Sequence, residues 1–233
     1  MDSNKEIQEF YNNYVSKQQR TGINIRHRLI HKKAKENGLR ENSNVLEIGC
    51  GIGSYTTLIL DTVGKGRIVS TDISDASIEV AKRHFASYPN VSFYATDMSD
   101  FRIEMKFDFV ILADVLEHIP VENHAALFKT IRNHCHDQSK ILINIPHPHW
   151  LEWLHIHDPS ILQIIDQPVH TNILLNIVYP NGFYLDRFVS YALFHDIMEY
   201  QFMVFKIKVP FDRVVKFPKW KLALNNFISK IFW

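Results

Sequence analysis

Apolar and polar positions follow a regular alternation from residue 44 to residue 146. Short runs of apolar and β-branched residues are separated by amphipathic stretches of helical period, a pattern typical of βαβ units and a parallel sheet. The run 107–114 is almost continuously apolar, which predicts a central strand covered on both faces. The pattern predicts strands at 44–49, 67–72, 91–96, 107–113 and 140–145, and helices at 54–62, 75–86 and 121–134.

The segment before this region predicts two amphipathic helices. Residues 4–20 and about 23–37 carry apolar residues at helical spacing, and the second stretch has a basic face and ends near Gly38. We interpret residues 1–43 as an N-terminal helical lid.

The segment after the fifth strand breaks the rhythm. Residues 146–170 mix aromatic, histidine and proline residues, and an insertion at that point of a parallel sheet lies over the ligand crevice, so we predict a substrate cover. A helix is predicted from Thr171 to about Tyr179. Two β-rich runs, 183–195 and 200–209, then predict an antiparallel hairpin at one edge of the sheet, which completes a core of residues 44–209.

Residues 210–233 have a different character. Lysines alternate with an apolar stripe of helical spacing, which predicts a basic amphipathic helix; the stripe consists of Trp220, Leu224, Phe227, Ile228 and Ile231. Packing on its own domain, contact with a second subunit through residues 217–233 and binding to an anionic membrane all remain open.

Composition narrows the possible partners and compartment. The 233 residues are 46% hydrophobic, which is enough to form a hydrophobic core. The net charge of +1 gives no electrostatic reason to expect a nucleic-acid partner. Cys50 and Cys135 have neither metal-ligand spacing nor a disulfide pattern. With a polar N-terminus and no apolar run of about 20 residues, the sequence predicts a cytoplasmic protein, with peripheral membrane contact possible through its tail.

The most informative stretch is residues 45–56, a predicted strand that runs into a turn with glycines at alternate positions: Gly49, Gly51 and Gly53. Glycine permits positive φ and a close approach of ligand to backbone. The helix that follows directs its amide end at the same place. The stretch predicts a seat for a nucleotide-like cofactor.

Acidic residues stand at the ends of four predicted strands, where a parallel sheet binds its ligand. They are Glu47, Asp72, Asp97 and Asp114. Asp72 lies 23 positions after Gly49, near the ~20-residue offset of an acid that accepts hydrogen bonds from ribose hydroxyls. Each acid also has a structural interpretation as a helix cap or strand end, which applies best to Asp114 and Asp75.

The turn lacks two phosphate signatures. No Lys-Ser/Thr pair follows the glycines, and Ser54 stands where a strict dinucleotide motif has its last glycine. Several carboxylates suit a ligand with ribose, adenine and a cationic centre but no phosphate, which describes S-adenosylmethionine. An NAD-dependent oxidoreductase is the alternative enzyme.

Together these motifs resemble the class I S-adenosylmethionine-dependent methyltransferases over roughly residues 44–146. The resemblance implies a Rossmann-like doubly wound α/β fold with a seven-stranded sheet, mostly parallel, whose last strand is antiparallel. It implies that the glycine turn, including Cys50, lies against the cofactor and that Glu47 supports its ammonium group. Asp72 would hold the ribose, Ile73 would pack on the adenine, and the pair Asp97-Met98 would face the adenine ring.

The same resemblance places the loop from Ala113 to His118 beside the methionine part of the cofactor. Tyr11 and Tyr14 on the first helix would close over the cofactor, with core packing as the alternative, and Arg26 is a further candidate for its carboxylate. The implied reaction is an in-line methyl transfer to an oxygen or nitrogen nucleophile. A small molecule or a saccharide is the expected acceptor, and a catalytically silent binding protein is a second alternative.

A general base is expected for an oxygen acceptor. His147 and His149 follow the fifth strand directly and are the candidates for base or substrate contact, whereas His118 is expected to order its loop. The spacing of these histidines matches no recognised metal-ligand set, so no metal site is predicted.

Overall fold

Seven strands and eight helices make up the part of the chain that the computed structural model describes, residues 3–210 and 214–232. Residues 1–2 of the predicted lid, and 211–213 and 233 of the predicted tail, lie outside it. The strands are β1 Val45–Ile48, β2 Ile68–Asp72, β3 Val91–Ala95, β4 Phe107–Ala113, β5 Cys135–Pro146, β6 Phe183–Tyr191 and β7 Tyr200–Ile207. The helices are α1 Ser3–Thr21, α2 Ile25–Glu36, α3 Ser54–Thr62, α4 Asp75–His84, α5 Val121–Asn133, α6 Pro148–His157, α7 Thr171–Val178 and α8 Lys219–Phe232. Short 3₁₀ turns occur at Leu116–His118, Pro159–Ile161 and Tyr179–Asn181.

All seven strands join one sheet in the order β3-β2-β1-β4-β5-β7-β6. The first five pair in parallel, and β7 runs antiparallel to both of its neighbours, β5 and β6. The prediction of a mostly parallel seven-stranded sheet with an antiparallel C-terminal hairpin is confirmed. So is the central position of β4, which has three strands on each side.

The side chains of β4 explain its central position. Val110 and Leu112 pack into one buried cluster, with Phe128 of α5, while Phe109 and Ile111 pack into another, with Ile59 of α3. Because successive residues of a strand point to opposite faces, a strand between two helical layers is apolar throughout. Because β1 to β5 run in parallel, their carboxyl ends lie at one edge of the sheet.

The first helix, α1, lies over that edge. Gln8 donates from Nε2 to the carbonyl of Ile73 at 3.0 Å, and Asn12 Oδ1 accepts from Ser74 Oγ at 2.7 Å and from Ala76 N at 3.2 Å. The last two contacts satisfy donors at the start of α4, where a helix has unpaired amides. The long polar side chains of α1 therefore dock it beside the end of β2.

Two strand boundaries differ from the pattern-based prediction by four or five residues, and one helix was not predicted. β5 begins at Cys135 instead of 140, because Cys135 pairs with Phe107 before a register shift at 107–109. β6 ends at Tyr191 instead of 195, because the amides that follow it turn to the buried carboxylate of Glu199. The cover segment, predicted as irregular, contains the helix α6, which begins with Pro148 at a position that needs no amide donor.

The turn that leads into β2 offers a matched test of this packing. A Cβ added to Gly66 would lie 1.9 Å from the carbonyl oxygen of Ser43, whereas one added to Gly64 would meet nothing closer than 3.8 Å. Gly66→Ala is expected to lower the free energy of unfolding by about 2–4 kcal/mol, because backbone must move. Gly64→Ala is expected to change it by under about 1 kcal/mol. Urea denaturation of both variants measures the difference, and equal effects would contradict it.

Candidate functional site

The turn after β1 is left-handed at each glycine. The φ values of Gly49, Gly51 and Gly53 are 76°, 53° and 92°, a region that side chains rarely adopt. Space is also restricted, because a Cβ on Gly49 would lie 2.2 Å from Val115 and a Cβ on Gly51 would lie 2.7 Å from Gln18. The glycines thus let the loop after β4 and helix α1 approach the turn.

The carboxylate of Asp72 fixes this turn to the next strand. Its Oδ2 accepts from the amide of Gly51 at 2.7 Å, and its Oδ1 accepts from the amide of Ser74 at 2.9 Å. Burial raises the pKa of Asp72, and these amide contacts oppose the rise. The side chain is therefore held in one orientation at the mouth of the sheet.

A cavity of about 250 Å³ opens above this edge, between α1, the strand ends and the cover. Its wall is apolar on the side of Ile7, Ile119 and Leu127, and polar at the strand ends. Such a mixture of apolar surface with a few convergent polar groups is typical of small-ligand sites. Other lining residues are Tyr11, Gln18, Asp72, Ile73, Thr96, Asp97, Met98, Asp114, Val115, His118, Asn123 and Gln163.

Asp114 contributes a strained, charged corner of the cavity. It has φ 58°, and its Oδ1 accepts from Asn144 Nδ2 at 2.8 Å. Its Oδ2 lies 2.6 Å from Nε of Arg26, which donates through a second nitrogen to the hydroxyl of Tyr200 at 2.7 Å. The sequence favoured a role for Asp114 as a helix cap or strand end. In the structure its carboxylate also connects α2, β5 and β7 at the cavity wall.

His118 joins the loop after β4 to the cover. Its Nδ1 lies 2.6 Å from the carbonyl oxygen of Ile165 and 3.2 Å from Asp166, and its Nε2 lies 3.1 Å from the amide of Gln163. Burial alone would lower the pKa of His118, but the nearby carboxylates of Glu117 and Asp166 and the Ile165 carbonyl raise it to about 9. The imidazole thus connects the loop after β4 to the cover through both of its ring nitrogens.

Two buried polar atoms at or next to this cavity have neither a hydrogen bond nor an ion pair among the described residues. They are Oη of Tyr11 and Oε2 of Glu117. Burial, followed by the charge of Glu117, raises the pKa of the Tyr11 hydroxyl, and burial raises that of Glu117 to about 8 despite the opposing charge of His118. Unpaired buried polar groups are costly. Tyr11 lines the cavity, so its unpaired hydroxyl indicates that a polar ligand completes the site, whereas Glu117 is buried next to the lining residue His118.

Comparison with known proteins agrees with this geometry. Residues 45–138 match the model of a family described as a methyltransferase domain. The chain is 34% identical over 73 residues to malonyl-[acyl-carrier protein] O-methyltransferase 1 of Ilyobacter polytropus, and 33% identical over 105 residues to putative methyltransferase 235L of Invertebrate iridescent virus 6. These matches cover 31% and 45% of this chain. The chain spans only 27% and 38% of the two relatives' lengths.

Solved structures extend the likeness to most of the fold. Magnesium protoporphyrin IX methyltransferase from Synechocystis PCC 6803, crystallised with S-adenosylhomocysteine, superposes with a TM-score of 0.66 at 17% identity, over 88% of this chain and 100% of its own. An N-methyltransferase, NodS, from Bradyrhizobium japonicum WM9, also with S-adenosylhomocysteine, gives 0.67 at 15% identity, over 85% and 98%. At these identities the likeness shows a shared fold. Residues 45–138 therefore match a methyltransferase domain in sequence, and they lie within a fold that the chain shares with these solved methyltransferases.

The structure brings about half of the predicted cofactor residues to the cavity wall. They are Tyr11, Gly49, Asp72, Ile73, Asp97, Met98 and His118. Gly51 and Gly53 shape the turn, and Cys50 is buried beneath it against Phe85 and Phe93. Ala113, the last residue of β4, packs against the core cluster that contains Ile111. Tyr14 stacks on Phe10 along α1, with ring centroids 5.7 Å apart, and does not line the cavity.

Glu47 also lies away from the cavity wall. It is 2% exposed, and its Oε2 accepts from Thr56 Oγ1 at 2.6 Å and from Ser70 Oγ at 2.7 Å. Burial raises its pKa to about 7, although these two hydroxyls oppose the rise. This carboxyl connects β1 to α3 and β2. The sequence had predicted contact with a cofactor ammonium group and not this internal role.

His147 and His149 do not reach the cavity that holds the other candidates. His147 begins α6, where its Nδ1 accepts from the amide of His149 at 3.3 Å, and its own amide donates to Glu199 O at 2.8 Å. Burial and then the nearby charge of His149 lower the pKa of His147. His149 is exposed, with its ring 6.2 Å from that of His170. Pro148, which lies between them, is the first residue of α6, so both histidines belong to the cover and not to the cavity wall.

Several lining residues had no signal in the sequence. Gln18, Asn123 and Gln163 reach the cavity from α1, α5 and the cover, whose placement depends on tertiary packing. Asp114 was recognisable in the sequence, since it is an acid at the end of β4, as Asp72 is at the end of β2. Among the described residues, no group of three or more His, Cys, Asp or Glu side chains could hold a metal ion.

A Glu47 variant tests whether burial raises the pKa of this carboxyl. Its folded pKa of about 7 exceeds the ordinary 4.5, so the folded state retains the proton and stability falls as pH rises from about 4.5 to 7. Glu47→Gln stays neutral, so its unfolding free energy relative to the native chain should rise by up to about 3 kcal/mol between pH 4 and pH 8. Glu41→Gln, at an exposed ion pair with Lys65, is the control and should show no such trend. Denaturant titrations across this range decide it, and a pH-independent difference for Glu47→Gln would count against the burial argument.

Proposed function

We propose that this protein transfers the methyl group of S-adenosylmethionine to an oxygen or nitrogen nucleophile of a small-molecule acceptor. The observation that carries the proposal is the cavity over the glycine turn, where the Asp72 carboxylate is fixed at the wall and the lining residue Tyr11 has an unpaired buried hydroxyl. Carboxylates suit a cofactor that carries hydroxyls and positive charge without phosphate.

The residues at the wall fit the parts of this cofactor. Asp72 would accept hydrogen bonds from the ribose hydroxyls, and the side chains of Ile73 and Met98 would hold the adenine from the apolar side. Asp97, whose Oδ1 accepts from Ser99 N at 2.9 Å, would face the edge of the base. Glu117 and Asp114 would lie toward the methionine end, where Tyr11 completes the enclosure from α1.

The protein's contribution to the reaction is placement and exclusion of water. When bound, S-adenosylmethionine supplies an activated methyl group on its sulfonium for in-line transfer. Helix α1 covers the site from one side, and the cover, held by His118, closes it from another. Because both ring nitrogens of His118 contact residues of the cover, it acts as a positioning residue.

The acceptor class is inferred from the cavity wall. Ile119, Pro120 and Leu127 give it an apolar side, with Asn123 and Gln163 as polar contacts, which suits a small molecule with one polar end. The names of the relatives include a malonyl-[acyl-carrier protein] O-methyltransferase and a demethylmenaquinone methyltransferase. These acceptors differ, so the relatives favour no single substrate, and nothing favours a saccharide in particular.

The turn is poorly suited to NAD, the alternative cofactor. Pyrophosphate binding needs free amides at the turn and at the helix start. Here the amides of Gly49 and Cys50 both donate to Thr71 O, at 2.7 and 2.9 Å, and that of Gly51 donates to Asp72. A phosphate would have to displace these contacts. We also propose a cytoplasmic location, which the two free, buried cysteines, Cys50 and Cys135, support.

Asp72→Asn tests the cofactor assignment. Removing the charge from the ribose acceptor should weaken binding of S-adenosylmethionine by roughly tenfold or more, because hydrogen bonds to charged groups contribute about 1.5–3 kcal/mol. Asp75→Asn is the control, since that exposed carboxylate contacts Gln8 outside the cavity, and it should bind as the native chain does. Calorimetric titration with S-adenosylmethionine, S-adenosylhomocysteine and NAD measures this.

Two outcomes of that titration would overturn the proposal: binding of NAD in preference to S-adenosylmethionine, or equal affinity in both variants. Binding without formation of S-adenosylhomocysteine across a panel of small alcohols, phenols, carboxylates and amines would instead favour a catalytically silent binding protein.

Tyr11→Phe tests whether the unpaired hydroxyl serves a ligand. Without cofactor, the variant should be as stable as the native chain or more stable by up to about 1 kcal/mol, because a buried unpaired group is removed. Its affinity for S-adenosylhomocysteine should nevertheless fall several-fold. Tyr14→Phe, on the same helix but away from the cavity, should leave affinity unchanged. A Tyr11→Phe variant that loses stability and keeps its affinity would show that the hydroxyl has a structural role.

A further inference from the structure

The C-terminal helix α8 exposes an apolar face to solvent. Four side chains on one side of the helix form this face, which we call the tail face: Trp220, Leu224, Phe227 and Ile228. Trp220 is 68% exposed and Phe227 is 62% exposed. Exposed apolar patches of this kind mark interaction sites. The segment that leads into the helix also has exposed apolar side chains, those of Val215 and Phe217.

The charges around the tail face are all of one sign. Residues 214–232 include Lys216, Lys219, Lys221 and Lys230 and no acidic residue, although the whole chain has a net charge of only +1. Lys219 stands on the side opposite the apolar stripe, and Lys221 lies over the ring of Phe217, with Nζ 4.2 Å from the ring centroid. Basic charge is therefore concentrated around an uncovered aromatic stripe.

We infer that α8 lies on the surface of an anionic phospholipid membrane, with the tail face inserted at the headgroup boundary. A helix with lysines on its polar side and Trp, Phe and Leu on the other is suited to this position. Tryptophan is enriched at the membrane interface, and each lysine near an anionic surface contributes about 1 kcal/mol. The described residues contain no helix with the length and hydropathy of a membrane span. Helix α8 has 14 residues, fewer than the roughly 20 that a spanning helix needs, and would lie along the surface.

A second copy of the chain fits the tail face less well. Stable protein interfaces use about 20–30 residues on each side, whereas α8 has 14 residues and offers four apolar side chains. Pairing two such helices would also bring lysines of both copies together, with no carboxylate in the segment to neutralise them. An anionic lipid surface supplies the missing negative charge and accepts a helix of any length.

The test is flotation of the full chain with vesicles of phosphatidylcholine alone and of phosphatidylcholine with phosphatidylserine. Binding is expected only to the anionic vesicles, and it should weaken as salt rises. The double substitution Trp220→Ala/Phe227→Ala should lower the partition coefficient by at least roughly tenfold. Lys219→Gln/Lys221→Gln should lower it by roughly fivefold for each lysine removed.

Leu222→Ala is the matched control, because Leu222 is a 49% exposed apolar residue of the same helix that lies outside the tail face, and it should change binding little. Circular dichroism checks that each variant keeps its fold. No binding to anionic vesicles, or binding that the aromatic double variant retains, would overturn the inference. So would a dimer in light scattering that the same double variant converts to monomers, since the face would then belong to a second copy. Vesicle binding needs neither cofactor nor turnover, so the result is independent of the proposed methyl transfer.

Discussion

The hydrogen bonds of Asp72 hold the centre of the site together. One carboxylate accepts from the amide of Gly51 in the first βα turn and from the amide of Ser74 at the start of α4. The left-handed turn that contains Gly51 can exist only with glycine at its key positions, because α1 and the loop after β4 occupy the space that a Cβ would need. Asp72 thus connects the glycine turn to the start of α4 and places a carboxylate at the cavity wall.

A second constraint comes from the loop after β4. Asp114, in a left-handed conformation, pairs with Arg26 and Asn144, while His118 holds the cover through Ile165 and Asp166. Strain of this kind persists where surrounding contacts over-determine it, and it concentrates at functional sites. The loop therefore couples α2, the sheet and the cover around one cavity, and buried charge is balanced across the set.

The sequence predicted the parts of this protein that depend on local pattern. The central position of β4, the glycine turn and the acids at the strand ends follow from periodicity, residue type and the geometry of parallel sheets. The parts that depend on tertiary packing could not be read in this way. Pro148 starts a helix that carries His147 and His149 away from the cavity. Glu47 is turned inward by two hydroxyls, from Thr56 and Ser70, that lie 9 and 23 positions away. The lining residues Gln18 and Gln163 arrive from segments whose docking no local pattern specifies.

The central claim is that the cavity over the glycine turn seats a phosphate-free, methionine-bearing cofactor. The most direct measurement is a crystal structure of the chain grown with S-adenosylhomocysteine. The account predicts the ribose hydroxyls within hydrogen-bond distance of Asp72, the adenine between Ile73 and Met98, and the methionine end beside Tyr11 and Glu117. A ligand bound outside this cavity, or within it but with its ribose away from Asp72, would contradict the account.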